Sequence, residues 1–553
     1  MSTPGYPAAA TAHVDTFARE NLPPAEQWPV FIFDRPELQY SETLNCGAVL
    51  VDDAIAEGHG DRVAVYSDVA NWTYAELLEK ANRIASVLVR ELGVVPGNRV
   101  LLRGPNCPML VAAWLAVMKA GAIAVTTMPL LRTKELEQIA TKAQIDHVLC
   151  DARLLREVAA TTATSGRLAK TLTWGTGDLE ETMARQPSTF ANVETQRDDV
   201  CLFAFTSGTT GDPKATMHFH RDVLIMADVV GRHLLETAPG DIYVGSPPFG
   251  FTFGLGALVV FPLRFRASTV LVEQPSAENL LRAVGTFGGT CLFTAPTMYR
   301  NLATMVGGYN LKSLKRSVSA GEPLPKATSD AWYAATGIRL IDGIGATEMM
   351  HIFISAKGAE VRPGATGRPL PGYQAVVLDE QNRPLPRGHA GRLAVRGPTG
   401  CRYLADPRQK DFVIDGWNVT GDRYFVDDDG YFWFQARADD MITSAGYNIA
   451  GPEVEAALLA HPAVQEVAVI GAPDEERGQI VKAFVVLRAG YGPGPLLIKE
   501  LQDFVKNTVA PYKYPRAVVF VEQLPKTPTG KVQRSVLRKH ESAVAELISI
   551  RKT

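Results

Sequence analysis

Cysteine is scarce in this chain of 553 residues: the six copies, Cys46, Cys107, Cys150, Cys201, Cys291 and Cys401, form no C-x-x-C pair and are joined by no clustered histidine. Spacing of that kind indicates neither a disulfide framework nor a zinc site, and it suits a reducing, cytoplasmic compartment. An excess of one charge is also missing, since 56 Lys and Arg face 59 Asp and Glu for a net charge of −3. The chain offers no broad basic face to nucleic acid, so any anion site in it must be local. Long hydrophobic runs are absent too. Residues 109–131 are interrupted by Lys119 and Gly121 and read as a buried helix, a break and a strand; residues 247–263 contain Pro262 and several glycines. The second stretch is shorter than the roughly 20 residues a membrane-spanning helix needs, so no membrane insertion is expected. The N-terminus passes through Asp15 and Glu20 without a basic region followed by an apolar core, so no targeting signal is expected.

What is present is the composition of a globular protein with several cores, 46% apolar and 21% charged. The length calls for a large body and at least one smaller domain. Short apolar runs at 63–66, 100–102, 122–126 and 147–150 alternate with helix-length segments, one of them opened by Thr73 with Glu76 at the reciprocal capping position. A second series follows at 270–272, 291–293, 317–319 and 339–342. These predict an α/β fold, a body of parallel sheets. Beyond Gly367 the texture changes to strand runs at 373–378, 391–396 and 431–435, a small β-rich subdomain over about 367–436. Past Asp440, helices at 452–459 and 495–508 and strands at 464–470, 482–486 and 517–521 predict a compact α+β unit. The expected domains are 1–436 and 437–553.

One stretch stands out, Phe205-Thr206-Ser207-Gly208-Thr209-Thr210-Gly211-Asp212-Pro213-Lys214, directly after the apolar run 200–204. A strand leaving a sheet frees its backbone amides, glycines let successive N–H groups converge, and hydroxyls give neutral donors to charged oxygens. Lys214 adds a cation, at a spacing that is not the G-x-x-x-x-G-K-[ST] of a P-loop. By composition alone the segment also suits an ordinary polar turn.

The decapeptide resembles the phosphate-binding signature of the adenylate-forming superfamily, the acyl-CoA and aryl-CoA synthetases, adenylation domains and luciferases, and further motifs of that family follow in order. In Ser319-Ala320-Gly321-Glu322-Pro323, the resemblance implies that Gly321, Glu322 and Pro323 line the adenine site. Asp342-Gly343-Ile344-Gly345-Ala346-Thr347-Glu348 is similar to the aromatic-Gly-x-Thr-Glu motif, with Ile344 in place of the aromatic. It implies nucleotide contacts from Asp342 and Gly343, an α-phosphate contact from Thr347 and Mg2+ binding by Glu348, a carboxylate suited to a hard cation. Thr420-Gly421-Asp422 resembles the ribose-binding site. Arg437-Ala438-Asp439-Asp440 resembles the hinge, with Asp439 as pivot and Arg437 contacting ribose and phosphate. Ser444-Ala445-Gly446 matches the loop whose glycine lines the pantetheine tunnel, and Pro525-Lys526-Thr527-Pro528-Thr529-Gly530-Lys531 implies that Lys531 is the lysine of adenylation. The phosphate contacts would come from Thr206, Ser207, Gly208, Thr209, Thr210, Gly211 and Lys214.

Nearly the full length looks like the benzoate-CoA ligase group, and within it most like 2-aminobenzoate-CoA ligases. The resemblance places Val229, Phe251, Ala320, Ile344, Gly345, Met350 and His351 around a flat apolar slot for a benzene ring, with His351 facing the ortho position; a histidine simply packed on a loop is the alternative. The implied activity is ATP-dependent formation of an aryl-adenylate and transfer of the aryl group to CoA. ATP, Mg2+, CoA and an aryl carboxylate would be the partners of a monomer or homodimer. A stand-alone adenylation enzyme serving a carrier protein, a luciferase-type oxygenase and a non-catalytic nucleotide-binding regulator are the competing readings.

Overall fold

The computed structural model describes residues 10–175, 177–206, 213–437, 440–444, 447–474, 477–527 and 530–541. Two large sheets carry the body. In the first, Lys170–Trp174, His147–Asp151, Arg99–Arg103, Ile123–Thr127 and Val200–Thr206 lie side by side in parallel, and Lys214–Phe219 closes one edge antiparallel to Val200–Thr206. The second has nine strands, six of them parallel, in the order Leu340–Gly345, Arg316–Ala320, Cys291–Thr294, Ile242–Gly245, Ser268–Val270, Val63–Tyr66, with antiparallel strands at both ends. Helices cover both faces, so central strands such as Ile123–Thr127 are buried at every residue and need the continuous apolar run their sequence shows.

Local chemistry sets the element ends. Thr73 Oγ1 accepts from the Glu76 amide at 3.2 Å while the Glu76 carboxylate accepts from the Thr73 amide at 2.7 Å, the reciprocal cap that starts helix Tyr74–Arg90. Helix Pro108–Lys119 stops before Gly121, whose φ of +66° turns the chain into strand Ile123–Thr127, the helix, break and strand expected of 109–131. Lys119 is wholly buried and its ammonium lies 2.7 Å from Asp52 Oδ1, the partner that a buried cation requires.

The β-rich subdomain is an antiparallel sheet of Gln374–Leu378, Gly391–Arg396, Trp417–Val426, Val413–Ile414 and Phe432–Arg437. Thr420, Gly421 and Asp422 lie inside strand Trp417–Val426, which is not among the strand runs read from the sequence. Gly421 takes φ +78°, the pairing on both sides shifts register nearby, and an apolar-pattern reading sees a turn where there is a bulged strand. The C-terminal part holds the hairpin Met441–Ser444 and Tyr447–Ala450, then a sheet of Val464–Asp474, Gly478–Leu487 and Ala517–Phe520 packed with helices Gly451–Leu459 and Pro495–Thr508. No helix among the described residues is long and apolar enough to cross a membrane.

The fold also brings together residues whose meeting the cysteine spacing does not signal. Cys46, Cys201 and His220, far apart in sequence, meet in the buried core with ligating atoms within 4.8 Å of one another. The His220 Nδ1 lone pair already accepts the Cys46 amide at 3.2 Å, with the Cys46 sulfur 3.1 Å away, so Cys46 and His220 form a hydrogen-bonded pair packed beside Cys201.

Candidate active site

Tyr403 links the turn after Leu340–Gly345 to the hairpin of Val200–Thr206 and Lys214–Phe219, its hydroxyl on Glu348 and its ring beside Lys214, and the C-terminal end of Arg316–Ala320 leads to Gly321 and Lys531; C-terminal strand ends are where open α/β sheets take ligands. Thr206 pairs directly with Lys214, so these two residues close the ladder at the base of the phosphate loop. Ser207, Gly208, Thr209, Thr210 and Gly211 lie outside the described residues. Downstream of the loop, the Lys142 ammonium donates to the Pro213 carbonyl at 2.9 Å and to Asp406 Oδ2 at 2.7 Å, which ties the loop's exit to the body.

Gly321 follows strand Arg316–Ala320 with φ +91°, a conformation that favours glycine. A Cβ built on it would stand 3.6 Å from Lys531 Cε and 3.9 Å from Nζ, so the lysine's tip lies against this backbone. The turn presenting it is well tied: the Thr527 amide donates to the Lys531 carbonyl at 2.7 Å, and the Lys531 amide donates to Thr527 Oγ1 at 3.1 Å. Solvent still reaches the side chain, but enclosure between the two parts of the molecule holds the ammonium below the usual lysine range; Glu322 and Asp422 pull the other way and Arg437 adds to the lowering. Lys531 thus shares a field with Glu322, Asp422 and Arg437. Glu322, next to Pro323, accepts from Thr297 Oγ1 at 3.0 Å; burial pushes its carboxyl up, against the opposing pull of Thr297 and Lys531. Asp422 and Arg437 face each other across paired strands with Oδ1 and Nη1 3.2 Å apart.

On the neighbouring strand, Asp342 and Gly343 lie in register beside Ser319 and Ala320. Burial pushes the Asp342 carboxyl up to about 7, with the Gly343 amide acting against it. The strand runs into the short turn Thr347–Met349, where the Tyr403 hydroxyl donates to the Glu348 carboxylate. Met350 then takes φ +71°, an uncommon conformation for a residue with a Cβ, and leads into buried His351.

Of the residues assigned to the ring slot, Val229, Ala320 and Met350 belong to the main core, with Ile344 packed against it. Gly345 is needed as glycine, because a Cβ there would lie 2.8 Å from the His351 carbonyl carbon and oxygen. Phe251 is half-buried at the head of helix Thr252–Leu255. The His351 ring meets Phe261 edge-on at 4.7 Å and Phe253 at 5.6 Å, and burial drives its pKa down to about 3, so it is neutral. Its Nε2 lies 3.4 Å from the Phe253 carbonyl, while Nδ1 is buried with no hydrogen-bond partner among the described residues. Asp439 and Gly446, the proposed pivot and tunnel glycine, lie outside the described residues. Sequence reasoning missed Thr297, Lys142 and the hydroxyl of Tyr403; their roles come from partners distant in the chain, and no spacing signals them.

Two family models match the chain. Residues 53–403 match the AMP-binding enzyme model and residues 453–531 match the AMP-binding enzyme C-terminal domain. A benzoate–CoA ligase of Thauera aromatica is 34% identical over 519 residues, covering 91% of this chain and 97% of the relative. Among solved structures, an anthranilate CoA ligase in complex with anthranoyl-AMP superposes with a TM-score of 0.89 at 32% identity, covering 93% of this chain and all of that one. A benzoate CoA ligase from Burkholderia xenovorans LB400 gives 0.83 at 32% identity over 90% of this chain and all of that one. The chain belongs to the AMP-binding enzyme family, among its AMP-forming acid–thiol ligases and in the group that holds the benzoate-CoA ligases.

Proposed function

We propose that the protein activates 2-aminobenzoate or benzoate as the aryl-adenylate, releasing pyrophosphate, and then transfers the aryl group to the thiol of CoA, releasing AMP. The observation that carries this reading is the approach of Lys531 to Gly321 within the field of Glu322, Asp422 and Arg437. In the first half-reaction one anion attacks another, so the protein's contribution is neutralisation and in-line positioning. Lys531 is aimed at the attacking carboxylate and the α-phosphate, Asp422 accepts from the ribose hydroxyls, and Thr347 contacts the α-phosphate. Asp342, Gly343, Gly321, Glu322 and Pro323 form the adenine wall. The loop from Thr206 to Lys214 holds the phosphates that leave.

Glu348 fits the hard cation that accompanies ATP. It is a carboxylate that shares Tyr403 with the phosphate-loop lysine, and its hydrogen-bond partner among the described residues is the hydroxyl of Tyr403. Mg2+ bound there would neutralise phosphate charge. For the second half-reaction, residues 437–553 turn about Asp439, Lys531 leaves, and Gly446 comes to line the path of the thiol.

The preference for 2-aminobenzoate is supported by the tautomer of His351. With Nε2–H directed to the Phe253 carbonyl, Nδ1 is an acceptor in need of a donor, and an ortho amino group supplies one. A panel of substituted benzoates and short aliphatic acids, scored for ATP- and CoA-dependent AMP release, tests the whole reading. Turnover of 2-aminobenzoate and benzoate above the aliphatic acids is expected. AMP release that needs a carrier protein in place of CoA, or that favours aliphatic acids, would refute it. His351→Ala should lower turnover of 2-aminobenzoate more than that of benzoate, and an equal loss would remove the assigned role.

A further inference from the structure

Tyr403 is wholly buried, yet its hydroxyl serves a carboxylate of the active site, 55 residues away in sequence. Its place is fixed from several directions. Arg402 beside it is locked into a buried ion pair with Asp222 and stacks its guanidinium 4.0 Å from the Phe219 ring. The segment bridges to Thr216 on strand Lys214–Phe219, and the Tyr403 amide donates to Gln409 Oε1 at 2.9 Å. The ring meets Phe412 edge-on at 5.9 Å, and the Lys214 ammonium stands 5.1 Å from its centroid. From this held position the O–H donates to Glu348, whose ionised carboxylate can only accept.

We propose that Tyr403 is a positioning residue that orients the Glu348 carboxylate for the divalent cation of the nucleotide, with Lys214 seated on its ring. The proposal rests on Glu348 being the metal carboxylate. A carboxylate on a flexible stem must be ordered before it can serve a cation, and a charge-assisted hydrogen bond from an immobile phenol orders it in advance. One carboxylate oxygen accepts the phenol hydrogen bond and the other is left for the cation. Lys214 on the ring face ties the same phenol to the root of the phosphate loop, so cation site and phosphate site are held in one register. A purely structural tyrosine would contribute to folding and leave cation affinity untouched.

Tyr403→Phe deletes the donor and keeps the ring, its packing and the contact with Lys214. The probe is Mn2+ titrated by electron paramagnetic resonance into protein saturated with α,β-methylene-ATP, whose methylene bridge prevents transfer of its adenylyl group to an acid. A charge-assisted hydrogen bond of this kind sets the expected loss of Mn2+ affinity at about tenfold. The KM for the acid, and conversion of supplied aryl-adenylate and CoA to thioester, should stay at wild-type levels, which also checks the fold. Glu348→Gln should weaken Mn2+ as well, and the double variant should be no worse than Glu348→Gln alone. Wild-type Mn2+ affinity in Tyr403→Phe with a loss in Glu348→Gln would overturn the role of Tyr403 and leave Glu348 standing. Wild-type affinity in both would overturn Glu348 as the metal carboxylate and Tyr403 with it.

Discussion

Replacing Lys531 with alanine should separate the two proposed half-reactions. Its ammonium lies against Gly321, and no carboxylate among the described residues comes within ion-pair distance of it, so its charge is available to the reacting groups. A single preorganised donor at a developing charge is worth about 3–4 kcal/mol, so aryl-adenylate formation should fall on the order of 10²- to 10³-fold. Aryl-adenylate supplied with CoA should still be converted to thioester at close to the wild-type rate. Single-turnover quench with chromatographic separation of AMP, adenylate and thioester reads both steps from one sample. The working form is the ammonium, and enclosure lowers its pKa below the ordinary 10.5. Adenylation should therefore be lost as pH rises through that lowered value, and the thioester step should lack this alkaline limb. Equal loss of both half-reactions in Lys531→Ala would refute the reasoning.

Three further outcomes are expected. Gly256→Ala would place a Cβ 2.6 Å from His351 Cδ2 and 3.0 Å from the Phe261 ring, so steady-state kinetics should show a raised KM for the acid with the KM for ATP unchanged. Arg402→Met leaves the fully buried Asp222 without its cation and should cost about 3–5 kcal/mol in denaturant unfolding, part of it recovered in Arg402→Met with Asp222→Asn. Asp342 keeps its proton to about pH 7 in the fold but loses it near 3.8 when unfolded. The native state binds more protons across that window, so stability should fall as pH rises from about 4 to 7, and Asp342→Asn should flatten that slope.

The sequence made different parts of the molecule legible to different degrees. Strand Val63–Tyr66 and helix Pro495–Thr508 could be read to the residue because an unbroken apolar strand and a proline-opened amphipathic helix carry their own boundaries. Strand Lys214–Phe219 could not, since it begins with the lysine that ends the phosphate loop and its pattern looks like a continuation of that loop. Trp417–Val426 was hidden by the bulge at Gly421. Residues of the site that are neighbours in sequence, such as Gly321 with Glu322 or Thr347 with Glu348, were visible as motifs. The meeting of Tyr403 with Glu348, and of Cys46 with Cys201 and His220, depends on how separate sheets pack, and no local pattern encodes it. His351 is intermediate: its place followed from the motif beside it, but its neutral tautomer and unpartnered Nδ1 follow from burial against Phe253 and Phe261.

The most direct measurement is mass spectrometry of the wild-type protein incubated with ATP, Mg2+ and 2-aminobenzoate in the absence of CoA. One aryl-adenylate per protein molecule, with one pyrophosphate released, is the expected result, and CoA added afterwards should discharge it to thioester and AMP. Absence of any acyl-adenylate, with this acid and with benzoate, would contradict the claim that Lys531 and the phosphate loop act together on one nucleotide.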